Sequence, residues 1–346
     1  MQKSTWILSG TAAVLLAASA VTRFAVYPAV HQLPGDTDST FVYDGTMSTL
    51  NAEALAAGDM ANLFLQDVPI TLERRVQVVE TDGSTAVVSD DVVVTGPEDT
   101  EMSATSHRWS IDRVDLDDRP APDGVEAEEH QGLVISWPLE PEERDYTFWD
   151  PTTATEVPAV YERTEELEGR DVYVFQMEAA GPVGDPAIAG GLPEALPQSV
   201  LAAAAETLPE DQRPDLALLG QLPDPVPLTY TADVTRVAWI DSETGAVLDG
   251  ALEQTIVAQT ETPNGPVTLA PVSSMSVQGT EDGIAERADD AASAANLLWL
   301  VRMVIPLGLV VVALLLAAFA VWRELKSRGG SGRAAGDDEG AEPATA

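Results

Sequence analysis

The chain has 346 residues, 45 % of them hydrophobic, and carries 57 Asp and Glu against 18 Lys and Arg, a formal net charge of −39. Such an excess of acid argues against nucleic-acid partners and against charge-driven docking on anionic lipid. Cysteine is absent, which excludes disulfide staples and thiol nucleophiles.

Residues 1–5 read as a short cytoplasmic N-terminus with Lys3, and 6–27 as an apolar run interrupted by Arg23 alone. A cleavable signal peptide would use Ala18-Ser19-Ala20 as its small-x-small site. Hydrophobicity continues past it through Val21, Phe24 and Val26, however, to a length suited to spanning, so an uncleaved signal-anchor is expected. Residues 28–283 read as one β-rich extracytoplasmic domain, large enough to bury a core without disulfides. The segment Pro28–Asn296 holds 52 of the 57 acids and 11 of the 18 bases, all arginine, an excess of 41 negative charges. The chain's two lysines are Lys3 and Lys326. An acidic, lysine-poor surface suits high salt, and a GC-rich genome that favours arginine would also remove lysine; both origins stay open.

Thr40–Tyr43 is a short strand, and Asn51–Met60 offers one or two helical turns. Ile70–Val79 and Ala86–Val94 are β-branched runs joined through Asp82-Gly83-Ser84, a hairpin signal. Arg108–Val114, Gly132–Leu139 and Tyr146–Trp149 are shorter strand candidates. A second hairpin pairs Val157–Glu166 with Asp171–Glu178 across Glu168-Gly169, and a third pairs Val234–Ile240 with Ala246–Val257 across Asp241–Gly245. Within the third, Val234, Val237 and Trp239 are set against Thr235, Arg236 and Asp241 as a buried and a wet face. Consecutive hairpins predict an antiparallel sheet.

From 181 to 227 the composition turns to proline, glycine and alanine, through which strands cannot continue. This insertion is either a mobile lid or a surface excursion between two strands, with a short helix over Pro197–Leu208. Beyond Gly283, the spacing of Ile284, Ala288, Ala291, Ala295 and Leu298 predicts a stalk helix over 284–302. Residues 303–322 then form a second membrane helix: Met303–Val321 has no charge, Trp299 and Trp322 flank it, and Pro306 falls in its first turns. Arg323, Lys326, Arg328 and Arg333 follow, placing a disordered tail, 323–346, in the cytoplasm. The expected architecture is thus α+β, a mainly antiparallel β domain between two transmembrane helices.

Catalytic and metal-binding sets are poor. His31, His107 and His130 stand in unrelated contexts without metal-ligand spacing. Asp36 with Asp38, and Asp115 with Asp117 and Asp118, could grip calcium but lack the glycine and distal glutamate of a dedicated loop. Gly190-Gly191 lacks the lysine of a phosphate cradle. Trp137, Tyr146, Phe148 and Trp149 form the densest aromatic cluster, either a ligand platform or a core packed under the Pro138 turn. No catalytic, cofactor or metal residue is assigned.

The middle of the chain, Gly132–Pro138, Arg144–Asp150, Val157–Glu162 and Glu165–Phe175, resembles the actinobacterial porin PorA family of two-pass membrane proteins. The likeness runs from the Arg23–Pro28 exit of the first helix to the second helix. It implies an actinobacterial cell-envelope protein with an outer domain between two helices, and it supplies no pore residues. The hairpins at Gly169 and at Asp241–Gly245 are in turn similar to those of the lipoprotein-carrier fold, whose curved sheet holds acyl chains. The expected role is non-catalytic: a plasma-membrane protein with both termini cytoplasmic, partnered by the bilayer and by a lipid ligand, binding or helping to transport an apolar envelope component. An oligomeric porin-like channel is the alternative, and a scaffold or sensor the next; oligomeric state is not readable.

Overall fold

The computed structural model describes residues 3–207, 210, 213 and 219–329. It divides into two units, Gln32–Ala294 and a second one made of the chain's first 31 residues and those from Ala295 onward. Of the tail expected to be disordered over 323–346, residues 323–329 instead continue the last helix and the remainder lies outside the described residues, as do Leu208, Pro209 and Pro214 of the insertion.

In the terminal unit, α1 (Lys3–Val21) continues through a π turn, Thr22–Val26, into α2 (Tyr27–Val30). Of α6 (Glu281–Trp299) the last turn belongs here, followed by a second π turn, Leu300–Val304, and α7 (Ile305–Gly329). Trp6–Val30 and Glu281–Lys326 are each long and apolar enough to cross a membrane. Pro306 therefore sits inside a helical run rather than in its opening turns, and the π turn before it accommodates the missing N–H. The helices run antiparallel, with Ser19 Oγ donating to Pro306 O at 3.0 Å. Their buried positions include Ala12 and Ser19 on one helix and Ala313 and Ala320 on the other, seven residues apart in each case. Small side chains at that spacing let two backbones approach closely without a water-driven hydrophobic force. The outward side chains, such as Leu307, Leu314, Leu315 and Phe319, are exposed and apolar.

The β domain is one ten-stranded antiparallel sheet that curls into a half-barrel. Its strands are β1 (Asp38–Leu50), β2 (Phe64–Asp82), β3 (Thr85–Thr95), β4 (Glu101–Asp112), β5 (Tyr146–Asp150), β6 (Thr155–Leu167), β7 (Arg170–Pro182), β10 (Thr229–Asp241), β11 (Val247–Thr262) and β12 (Gly265–Gly279). Their order across the sheet is β4-β3-β2-β1-β12-β11-β10-β7-β6-β5. Laid flat, the two edges would stand roughly 40 Å apart at strand spacing. Yet Trp109 and Ile111 of β4 share one core cluster with Phe148 of β5 and Phe175 of β7. The segment 113–145, which links the two edge strands, fills the remaining gap with Leu116, Leu133, Val134, Ile135 and Trp137. Of the strand expected over Gly132–Leu139, only a bridge between Leu133 and Phe148 forms. The rest stays irregular, because Ser136 Oγ and Trp137 N donate to the carbonyl of Gly245 instead of to a ladder.

Turn chemistry explains the three expected hairpins. Glu168 and Gly169 both have positive φ (48° and 73°), the two-residue loop whose twist matches its flanking strands. Asp241 Oδ1 accepts from Thr244 N and Oγ1, and Gly245 takes φ +69°. A fourth hairpin, β11–β12, turns at Pro263-Asn264, and prolines at 266 and 271 hid its second strand from the sequence. Two register shifts accommodate them, between Ile256 and Val257 and between Ala258 and Gln259 on the facing strand.

α3 (Ala52–Ala57) is capped by Asn51, whose side chain accepts from Ala54 N. The insertion contributes α4 (Pro186–Gly190), the two-residue strands β8 (Ala195–Leu196) and β9 (Val226–Pro227), and α5 (Gln198–Thr207). Leu196, Val200, Leu201, Leu219 and Val226 pack with Leu63 and Leu269 into a second core, so most of the insertion is fixed to the sheet. On the opposite face, Ala288 and Ala291 of α6 pack against Val172 and Leu248, and Arg287 Nε donates to Leu248 O at 2.7 Å.

A Cβ on Gly245 would run into the carbonyl groups of Trp137 and Pro138, whereas one on Gly169 meets open space. Gly245→Ala is therefore expected to cost about 2–4 kcal/mol of stability, left-handed strain plus overpacking. Gly169→Ala should cost only the strain, about 1–2 kcal/mol. Chemical denaturation of the two variants beside the parent chain measures the difference, and equal losses would contradict this account of segment 113–145.

Candidate functional site

Period-two alternation puts every second residue of the curled sheet on its concave face. There a cleft of about 180 Å³ is walled by Leu72 of β2, Val92 of β3, Met177 of β7, Leu252 of β11 and Met275 of β12, with Trp137 and Phe148 also in its lining. Three ion pairs are set into this apolar wall. Arg74 donates from Nε and Nη2 to the two oxygens of Asp90, both at 2.7 Å, and from Nη2 to Val134 O at 3.0 Å. It thereby pins segment 113–145 to the sheet. Burial opposes the charge of Arg74, but Asp90 outweighs burial and raises its pKa. Arg236 reaches Asp150 Oδ1 at 3.2 Å through Nη2, and Asp150 also accepts from Thr153 N at 2.8 Å. Tyr43, close enough to feel both arginines, has its phenol pKa raised by burial.

The third pair centres on His107. Nδ1 lies 3.0 Å from Glu128 Oε2 and Nε2 lies 3.4 Å from Asp185 Oδ2. Asp185 in turn caps α4 by accepting from Ala187 N at 2.7 Å. Burial works against a charged imidazole, but the two carboxylates outweigh it and push the pKa up to about 9. The ring stacks on Trp109 at 5.0 Å, and His130 meets the same indole edge-on at 5.4 Å. Both ring nitrogens of His130 face carbonyl oxygens, Gly132 O at 3.1 Å and Ser110 O at 3.0 Å. Two histidines that stand in unrelated sequence contexts are thus neighbours in space. The fold joins them through segment 113–145, which no local motif announces.

Other sequence candidates fall elsewhere. Asp115 and Asp117 border a shallow polar depression with Arg144, Asp145 and Glu156. Asp38 is paired with Arg75 at 2.6 Å. Trp137 is buried and stacks on Phe175 at 5.0 Å, so it belongs to the core rather than to an open platform. Arg236 faces inward with Val234, Ala238 and Ile240, while Val237 and Trp239 take the other face of β10. The wet and dry faces expected for this strand are therefore mixed: hydrophobicity alone could not place an arginine whose partner, Asp150, lies 86 residues away. Of the insertion, Asp185 and Ile188 border the cleft.

A family model described as Porin PorA matches residues 5–322. No curated protein matches the chain. Among solved structures, an acyl-CoA thioesterase II TesB2 from Mycobacterium marinum is 12 % identical over 70 % of this chain and 80 % of its own, with a TM-score of 0.12. A putative MaoC domain protein dehydratase from Chloroflexus aurantiacus J-10-fl is 15 % identical over 77 % and 80 %, with a TM-score of 0.14. Similarity at that level carries no argument about fold or activity.

Two outcomes follow from the ion pairs. The raised pKa of His107, above its ordinary 6.5, means that its contribution to stability is complete below about pH 6.5 and is lost as the pH rises through about 9. A loss of up to about 3 kcal/mol across that window is expected in the parent chain. His107→Gln should abolish this part of the pH dependence, read as melting temperature against pH. Arg74→Met strands Asp90, whose side chain is 8 % exposed, and is expected to cost about 3–5 kcal/mol. Replacing both partners, as in Arg74→Met with Asp90→Leu, should recover most of that loss in a denaturant titration.

Proposed function

Because the chain belongs to the porin PorA family, and because one unit carries two apolar helices suited to a membrane, we propose that it is a two-pass cell-envelope protein whose β domain lies outside the plasma membrane. Both termini are then cytoplasmic, and the β domain acts by binding, without catalysis, on an apolar, lipid-like component that it stores or helps to transport. The observation that carries this reading is the cleft on the concave face. Its walls are aliphatic and aromatic, and its charges are already paired, so an apolar segment is what the surface can cover most favourably. At about 180 Å³ the cleft is smaller than the roughly 300–1,000 Å³ of pockets that enclose a whole small molecule. It therefore takes part of a chain or a branched end and leaves the remainder outside.

A channel is the second reading, favoured by the family's description as a porin. It requires an oligomer, since the outward faces of both helices are apolar and two helices cannot enclose water.

A diazirine-tagged fatty acid, supplied to cells making the full chain and activated by light, tests the binding reading. Label is expected on cleft residues such as Met177, Leu252 and Met275, and is expected to fall when Thr105 of β4, which also lines the cleft, is enlarged by Thr105→Trp. Label confined to the helices, 3–30 and 295–329, would sink the proposal. Conductance across planar bilayers by the purified protein, unaffected by Thr105→Trp, would favour the channel instead.

A further inference from the structure

The walls of the cleft are apolar, but its lining also carries hydrogen-bond donors that the fold leaves unused. A guanidinium has five N–H bonds to give. Asp90 and Val134 O take three of those on Arg74, and Asp150 Oδ1 takes two of those on Arg236, in both cases through Nε and Nη2. Nη1 of each arginine has no acceptor among the described residues. Exposure is divided in the same sense. The side chains of Arg74 and Arg236 are 23 % and 24 % exposed, whereas those of Asp90 and Asp150 are 8 % and 1 % exposed. The acids are covered by their partners, and the surface that stays open belongs to the donors.

Two uncharged donors flank Arg236 in the same lining. Gln254 of β11 stands opposite Val234, and Arg236 opposite Leu252, so Gln254 and Arg236 share the concave face. Gln254 Oε1 accepts from Thr152 Oγ1 at 3.1 Å, and its amide N–H bonds have no acceptor among the described residues. Tyr43 of β1 leans across the sheet to β11: a Cβ on Gly250 would lie 3.3 Å from its Cε1 and 3.5 Å from its hydroxyl. That hydroxyl too has no hydrogen-bond partner among the described residues, and burial, which raises its pKa, keeps its proton in place. Along β11 the donors fall in order, Tyr43 above Gly250, Arg236 opposite Leu252, then Gln254. The apolar wall is interleaved with them, because Met177 stands opposite Arg236 on β7 and Met275 opposite Gln254 on β12.

Donors without an excess of positive charge select one kind of head group. Three cations, Arg74, Arg236 and His107, are matched by four carboxylates, Asp90, Asp150, Glu128 and Asp185. An anionic head would lose its hydration there without a free cation to receive it. A bare hydrocarbon would cover the N–H and O–H groups and leave them unsatisfied. An uncharged carbonyl avoids both penalties. Resting on the reading that the cleft takes part of an apolar chain, we infer that its ligand is a neutral acyl ester. The ester oxygens accept from the row formed by Tyr43 Oη, Arg236 Nη1 and Gln254 Nε2, while the hydrocarbon covers Met177, Leu252 and Met275.

Photolabelling of the purified full chain in detergent tests the inference, with three probes that carry the same diazirine-bearing chain and differ in the head. One is a methyl ester, one the methyl ether in which CH₂ replaces the carbonyl, and one a sulfonate, which stays ionised. Label on Met177, Leu252 and Met275 is expected to be roughly tenfold greater from the ester than from the ether, the scale of one or two hydrogen bonds, and greater than from the sulfonate. Tyr43→Phe with Gln254→Leu should lower the ester-to-ether ratio to about threefold or less, because Arg236 alone remains. Gln176→Leu, on the other face of β7, should leave the ratio unchanged. Should the pair fail to fold, Tyr43→Phe alone is expected to give an intermediate ratio. Equal labelling by ester and ether in the parent chain, a sulfonate that labels above the ester, or a ratio unchanged in the pair overturns the inference and leaves the apolar cleft standing. Absence of label from the cleft with all three probes overturns the apolar reading together with it.

Discussion

A ten-stranded antiparallel sheet has two edges and one apolar face to cover, and here a single segment meets all three demands. Residues 113–145 leave one edge strand, cross the concave face and enter the other edge strand. Backbone bridges join them to β4 at Trp109 and Ile111 and to β5 at Phe148. Unpaired edges invite association with other chains, and an open apolar face invites collapse, so the sheet depends on this irregular strap more than on any one ladder. The strap has few regular hydrogen bonds of its own. It is held by side chains, Arg74 reaching Val134 O and Ser136 reaching Gly245 O, and by the insertion of Leu133, Ile135 and Trp137 into the core.

That dependence explains why charged groups sit inside an otherwise apolar half-barrel. A buried ion pair is a weak source of stability compared with a packed hydrophobic pair, but it has direction. Arg74 cannot satisfy Asp90 and Val134 O together unless the strap lies in one register. Arg236 likewise fixes the end of β5 through Asp150, and His107 joins β4 to Glu128 of the strap and to Asp185 of the insertion. Apolar side chains would fill the same space with less discrimination between neighbouring registers.

What the sequence made legible was local. The Glu168-Gly169 and Asp241–Gly245 turns, the hairpin at Gly83, the helical turn within Asn51–Met60 and the two apolar helices each depend on a few adjacent residues, and each appears where its chemistry puts it. β12 was missed because prolines at 266 and 271 argue against a strand unless bulges are foreseen. The inward turn of Arg236 and the meeting of His107 with His130 were illegible for another reason: their partners are brought by the curl of the sheet, a property of all ten strands at once. The ion pairs that line the candidate cleft were not legible, since pairing across 16 to 86 residues leaves no periodic trace.

The strand order divides the domain into two meanders, β1 to β4 and β5 to β12, joined along one ladder in which Tyr43 faces Gly279. The first strand made and the last strand made are therefore central neighbours. During synthesis the N-terminal four-stranded meander can form early, but its β1 edge stays open until β12, which begins some 150 residues beyond the end of β4, has emerged. Contacts so distant in sequence are slow to close, and an unpaired strand waiting for its partner is a template for the wrong one. The completed fold hides its most vulnerable edge in the middle of the sheet, and the hazard is confined to the interval before β12 arrives.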